Sequence, residues 1–168
     1  LGAVNVHSES SQPGNHSGSD ELVSVVLRNV QPLHGGLNIY LRRDGSGYCQ
    51  ILVRRPSTLP LQEKRYKLAL PEAKMRALQS LISDRSFTDI PSSTKPGLPD
   101  TSRPAISMKL ASVEPVTFSR WGNGDPHPDF DTIYQALIDV ATSARTLEPI
   151  YEGQYDLKWT PEGFEAYK

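Results

Sequence analysis

The sequence predicts an α+β domain: one antiparallel sheet of about six strands, with two helices on one face, in the order ββββαββα. Three observations carry this expectation. Four apolar or alternating runs succeed one another before residue 71, with no helical pattern between them. A run of helical spacing and two more alternating runs come next. The clearest amphipathic stripe in the chain then completes the order. A chain of 168 residues fits one domain with appendages. The divisions are a flexible polar tether over 1–20, the domain over 21–146 and an aromatic, acidic arm over 147–168.

Leu22 to Arg28 is β-branched and mostly apolar, and reads as the first strand. His34-Gly35-Gly36 then suggests a sharp turn or bulge that needs positive φ. Leu37, Ile39 and Leu41 alternate with Asn38, Tyr40 and Arg42, giving one apolar and one polar face. The turn Asp44-Gly45-Ser46-Gly47 leads into Tyr48–Arg54, the partner strand. A fourth strand, Arg65 to Leu70, sets Tyr66, Leu68 and Leu70 against Arg65 and Lys67.

The first helix is expected from Pro71, a residue suited to the first helical position, with Met75, Leu78, Leu81, Ile82 and Arg85 at helical spacing. Phe87 and Ile90 are expected to return the chain to the sheet edge. Residues 91–104 form a long loop with four prolines, and loops of this length are often functional. Strands at Ile106–Leu110 and Val116–Phe118 precede Trp121. The second helix opens at Pro128, with Asp129 and Asp131 in its positive first turn. Phe130, Ile133, Tyr134, Leu137, Ile138, Ala141 and Ala144 form its buried stripe, so both helices face one side of a two-layer domain.

Composition narrows the function. Eighteen basic and nineteen acidic residues leave a net charge of −1, which argues against a nucleic-acid partner. No apolar run is long enough to span a bilayer. The Ser-, Gly- and Asn-rich stretch 1–20 suits a tether behind an export signal or lipid anchor, and so suggests an exported protein, periplasmic or extracellular. Within it, Asn15-His16-Ser17 matches the common glycosylation acceptor pattern.

Candidates for chemistry are few. Asp125, His127, Asp129 and Asp131 alternate as metal donors would in an extended loop. The last two, however, fall in a helical first turn, where alternate residues face apart and acids serve the helix dipole. Cys49, the only cysteine, sits mid-strand as a small buried hydrophobe. No Gly-x-Ser-x-Gly elbow is present. Arg28, Arg42, Arg65, Lys67 and Lys109, with Tyr40 among them, are expected on a solvated basic sheet face. The arm holds five of the thirteen aromatic residues, Tyr151, Tyr155, Trp159, Phe164 and Tyr167, interleaved with acids. It suits either wrapping over its own domain or docking a partner.

Gly35-Gly36, the Asp44-Gly45 turn, Leu78-x-x-Leu81-Ile82 running into Phe87, Pro99-Asp100 and the Leu137 helix together resemble small bacterial emfourin-like domains, over roughly residues 22–145. Those domains are protein inhibitors of thermolysin-like metalloproteases. The resemblance implies a bacterial, non-enzymatic module with a protease among its partners, and the long loop and both termini depart from it.

The expected function is therefore an exported, non-enzymatic protein-binding module without a cofactor, monomeric or homodimeric. Its contact candidates are Tyr151, Tyr155, Trp159, Phe164, Pro99, Asp100 and Trp121. The alternatives are a metal-dependent hydrolase with a site around Asp125, His127 and Asp129, and a structural module that dimerises through the arm.

Overall fold

A computed structural model describes residues 21–31, 34–53, 60–84, 90–94, 102–111, 113–121 and 126–168. Seven strands form one antiparallel sheet: β1 (Leu22–Gln31), β2 (Gly35–Arg42), β3 (Ser46–Val53), β4 (Gln62–Ala69), β5 (Ala105–Leu110), β6 (Val116–Ser119) and β7 (Tyr151–Gln154). Their order is β6-β5-β1-β2-β3-β4-β7. The first four strands form the expected meander. The later pair joins the free edge of β1, which makes β1 an interior strand. The seventh strand comes from the arm and pairs with β4, Arg65 opposite Tyr151.

Register follows from the period of two. Val25 and Leu27 of β1, Leu37, Ile39 and Leu41 of β2, Cys49 and Ile51 of β3, Tyr66 and Leu68 of β4, and Ile106 and Met108 of β5 share one buried apolar cluster. Two helices cover it, α1 (Glu72–Asp84) through Met75, Leu78 and Ile82, and α2 (Pro128–Ala144) through Phe130, Ile133, Leu137, Ala141 and Ala144. Each such side chain, fully buried, contributes roughly 1.5–3 kcal/mol. The α+β class and the single helix-bearing face are as the periodicity predicts.

Three local details refine the expectation. Pro71 lies just before α1 rather than inside it, its carbonyl accepting from the Met75 amide at 3.1 Å. Pro128 does open α2, and His127 caps it, Nδ1 accepting from the Phe130 amide at 3.4 Å. Gly36 sits in the β1–β2 hairpin at φ +127, where a β-carbon would stand 2.0 Å from the Asn29 carbonyl oxygen. Only glycine permits that approach.

The opposite face of the sheet differs from the expectation. Instead of meeting solvent, it is covered by the arm. Phe164 and Tyr167 form a second buried cluster with Val26 and Tyr40, and Tyr48 and Trp159 pack against it. The molecule therefore has three layers: helices, sheet and arm. No helix among the described residues is long and apolar enough to cross a membrane. The 1–20 tether, Arg85, Phe87, Pro99, Asp100 and Asp125 lie outside the described residues.

Candidate functional site: the arm and the sheet face beneath it

The inner surface of this site is made by alternate residues of β1 to β4. Arg28, Asn38, Tyr40, Arg42, Tyr48, Gln50, Glu63 and Arg65 point away from the helices, because their neighbours in sequence fill the apolar cluster. The arm engages them through cations and rings. The Arg42 guanidinium lies 4.9 Å from the Phe164 ring centroid and donates to the Glu162 carbonyl at 2.6 Å. Arg65 stands 4.2 Å from the ring centroids of both Tyr151 and Trp159. Arg28 donates to the Tyr167 carbonyl. The Tyr167 hydroxyl donates to the Ser24 carbonyl at 3.2 Å and meets the Ser24 hydroxyl at 2.6 Å. A desolvated guanidinium over an aromatic face contributes on the order of 1–2 kcal/mol. These pairings explain why an aromatic segment settles on a basic face.

Beneath the arm lies a polar relay. Arg65 pairs with Glu63, which is only 1% exposed. The Gln50 side-chain NH2 donates to Glu63 at 2.6 Å, and the Asp156 backbone amide donates to the same oxygen at 3.1 Å. Asn38 in turn donates to the Gln50 carbonyl oxygen at 2.9 Å. Burial raises the Tyr40 hydroxyl above its ordinary value, with the charge and hydrogen bond of Arg28 opposing the shift. A cavity of about 670 Å³ opens beside the relay, bounded by Arg28, Asn38, Gln50, Arg103, Tyr155 and Trp159, a size usual for small-molecule sites.

The residues singled out in the sequence fall into different surroundings. Phe164 is fully buried, so its ring serves the second core and not an outer face. Trp159 is half-buried, edge-on to Tyr40 at 6.0 Å and to Tyr48 at 6.2 Å. Tyr155 is half-buried at the cavity wall. Tyr151 is exposed on β7. Trp121 lies elsewhere, its ring 4.9 Å from the Arg103 guanidinium and its amide held by the Ser93 hydroxyl at 3.0 Å. The basic face expected to be solvated is thus largely taken up by the arm. Gln50 and Glu63 carry no sequence signal of their own, since a buried polar residue on an alternating strand looks like a solvated one.

The other chemical candidates are placed plainly. Burial pushes the Cys49 thiol up to about 12, which keeps it protonated. His127 Nδ1 is occupied as a helix cap. Among the described residues no group of three His, Cys, Asp or Glu side chains is set to hold a metal ion.

Outside the arm's inner face, apolar groups are exposed along residues 147–157. Ile150 is 56% exposed and Leu157 76%, with Leu147 and Tyr151 also exposed. Leu147 also lines an apolar groove of about 580 Å³ between α1 and α2, with Leu68, Leu78, Leu81 and Val140. Among the described residues, the β7 strand beside them pairs on one side only, with β4. No family model matches this chain, and searches of curated proteins and of solved structures find no significant match.

Proposed function

We propose that this protein is an exported, non-enzymatic module that binds another protein along the outer side of the arm. The observation that carries the reading is where its apolar surface is exposed. Of the six large hydrophobic side chains exposed among the described residues, four are Leu147, Ile150, Tyr151 and Leu157. Concentration in one segment, rather than scatter, is the mark of an interaction surface. The open edge of β7 adds backbone groups that a partner strand could pair with, the apolar side chains supplying specificity. Export is supported by the polar 1–20 stretch, and the emfourin-like landmarks make a secreted metalloprotease the first partner to try.

Two measurements test this. Titrating a thermolysin-like protease with the purified chain, while following hydrolysis of a peptide substrate, decides the inhibitor role; an unchanged rate removes it. A photo-crosslinking amino acid placed at position 157, used in cells that make the protein, decides the wider reading. A discrete adduct with a second protein, lost in Ile150→Asp, is the expected result. Adducts only with itself, or none, would count against protein docking.

A further inference from the structure

The outer edge of β7 is a half-made pairing surface, and the register determines which groups it offers. In an antiparallel ladder, opposed residues alternate between pairs that exchange hydrogen bonds and pairs whose N–H and C=O groups point away from each other. The Tyr155 amide donates to the Leu61 carbonyl at 2.8 Å, which fixes the phase: Tyr151 and Gly153 face β4 with their backbone groups, and Glu152 and Gln154 do not. The N–H and C=O groups of Glu152 and Gln154 therefore point out of the sheet. Among the described residues no strand meets them, and the Gln154 carbonyl has a single long contact, with the Tyr151 hydroxyl at 3.5 Å.

Side chains sort by the same period of two. Tyr151 and Tyr155 lie on the arm side of the sheet, the Tyr151 ring against Arg65 and its hydroxyl folded across Gly153, where a β-carbon would stand 2.5 Å from it. Glu152 lies on the other side, opposite Lys64 and 3.3 Å from it. A strand laid along this edge sets one of its faces against tyrosines and the other against an acid. Charge along the segment is mostly of one sign. Glu148, Glu152 and Asp156 are all exposed, and Lys158 is the one base between residues 147 and 158. The ion pairs among the described residues reach Glu152 but neither Glu148 nor Asp156. The Asp156 carboxylate accepts the Lys158 backbone amide at 2.9 Å, a neutral donor that leaves its charge in place.

We propose that β7 takes an extended basic segment of a partner protein as an eighth strand, with Lys or Arg on one of its faces and apolar side chains on the other. The basic face meets Glu152, its basic flanks meet Glu148 and Asp156, and the apolar face packs on Tyr151 and Tyr155. A second copy of this chain is a poorer fit, because pairing β7 with itself brings the acids of both chains to one seam. The proposal rests on the reading of the arm as a docking surface and names the chemistry of what docks there.

Selection of random linear peptides displayed on phage, against the full chain, tests it. The recovered peptides should alternate apolar residues with Lys or Arg, and their binding should weaken as salt is raised. One recovered peptide is then synthesised with N-methyl groups on alternate residues, in each of the two phases. It should lose about tenfold or more in affinity in one phase only, since one row of its N–H groups faces β7 and the other faces water. Gln154→Pro removes an outward N–H without removing a bond to β4, a change that edge strands tolerate, and should weaken binding by about fivefold or more. Should that variant not fold, the two methylated peptides decide the matter. Recovery of no peptide, recovery of acidic or non-alternating ones, equal affinity in both methylated phases, or unchanged binding by a folded Gln154→Pro protein would overturn strand addition. Docking by the arm is decided separately, by the crosslink at position 157.

Discussion

Gln50 donates its side-chain NH2 to the carboxylate of Glu63 across 2.6 Å, on neighbouring strands and beneath the arm. The carboxylate also receives Arg65 and the Asp156 amide, so one buried acid joins β3, β4 and the arm. Glu63→Ala removes the acid and leaves the mostly buried Arg65 without its partner. Chemical denaturation should show a loss of about 3–5 kcal/mol, the usual cost of breaking a buried pair from one side. Glu63→Gln keeps the shape and should lose less. A loss under about 1 kcal/mol for Glu63→Ala, no more than an exposed ion pair contributes, would show that the relay does not anchor the arm.

Closure of the arm gives a second expectation. Phe164 is fully buried against Tyr40, with ring centroids 5.4 Å apart, whereas Leu157 is largely exposed. Phe164→Ala should destabilise the fold by about 3–5 kcal/mol, and Leu157→Ala by less than about 0.5 kcal/mol. Comparable losses in the two variants would mean that the arm is not closed in solution.

The β1–β2 hairpin supplies a third. A β-carbon at Gly36 would stand 2.0 Å from the Asn29 carbonyl oxygen, on backbone at φ +127. Gly36→Ala should cost about 3 kcal/mol or more, because a steric clash with backbone adds to conformational strain. Thermal melting of this variant, beside an alanine change at exposed Glu72, isolates the effect.

How much of this was legible in the sequence depends on which force placed each residue. The six strands and both helices announce themselves because alternation and helical spacing record burial against a common apolar core. The seventh strand does not. Tyr151-Glu152-Gly153-Gln154 lacks alternation, and it is a strand because its backbone pairs with β4. The covered face was hidden for a related reason. Arg28, Arg42 and Arg65 on alternate positions read as a solvated surface, yet Arg42 and Arg65 stack on Phe164, Trp159 and Tyr151, and Arg28 donates to the Tyr167 carbonyl, so the arm half-buries all three. Polarity in a sequence does not distinguish a residue facing water from one facing an aromatic ring. The aromatic density of the arm did mark the segment that matters.

Cys49 gives a fourth expectation, with a definite sign. In the unfolded chain its thiol ionises near 9.0, while burial in the fold holds it protonated up to about 12. Between those values the unfolded state has released a proton that the folded state keeps. This contribution to stability is therefore complete below about pH 9 and is lost as the pH rises toward 12. The melting temperature should fall on this alkaline limb, and less steeply in Cys49→Ala. In native buffer near pH 8 the thiol should resist a disulfide reagent, and it should react at once in denaturant. Rapid labelling of the folded protein would show that the strand opens.

The bond between Ser24 and Tyr167 joins residues 143 positions apart. During synthesis, the first strand leaves the ribosome long before the tyrosine that covers it. A nascent chain can form the meander and its helix face early, but Val26 and Tyr40 stay uncovered until Phe164 and Tyr167 emerge. A ribosome that stalls inside the arm thus releases a protein with a bare hydrophobic patch, the kind of surface that chaperones and proteases recognise. Completion of the fold thus waits on the same few residues of the arm.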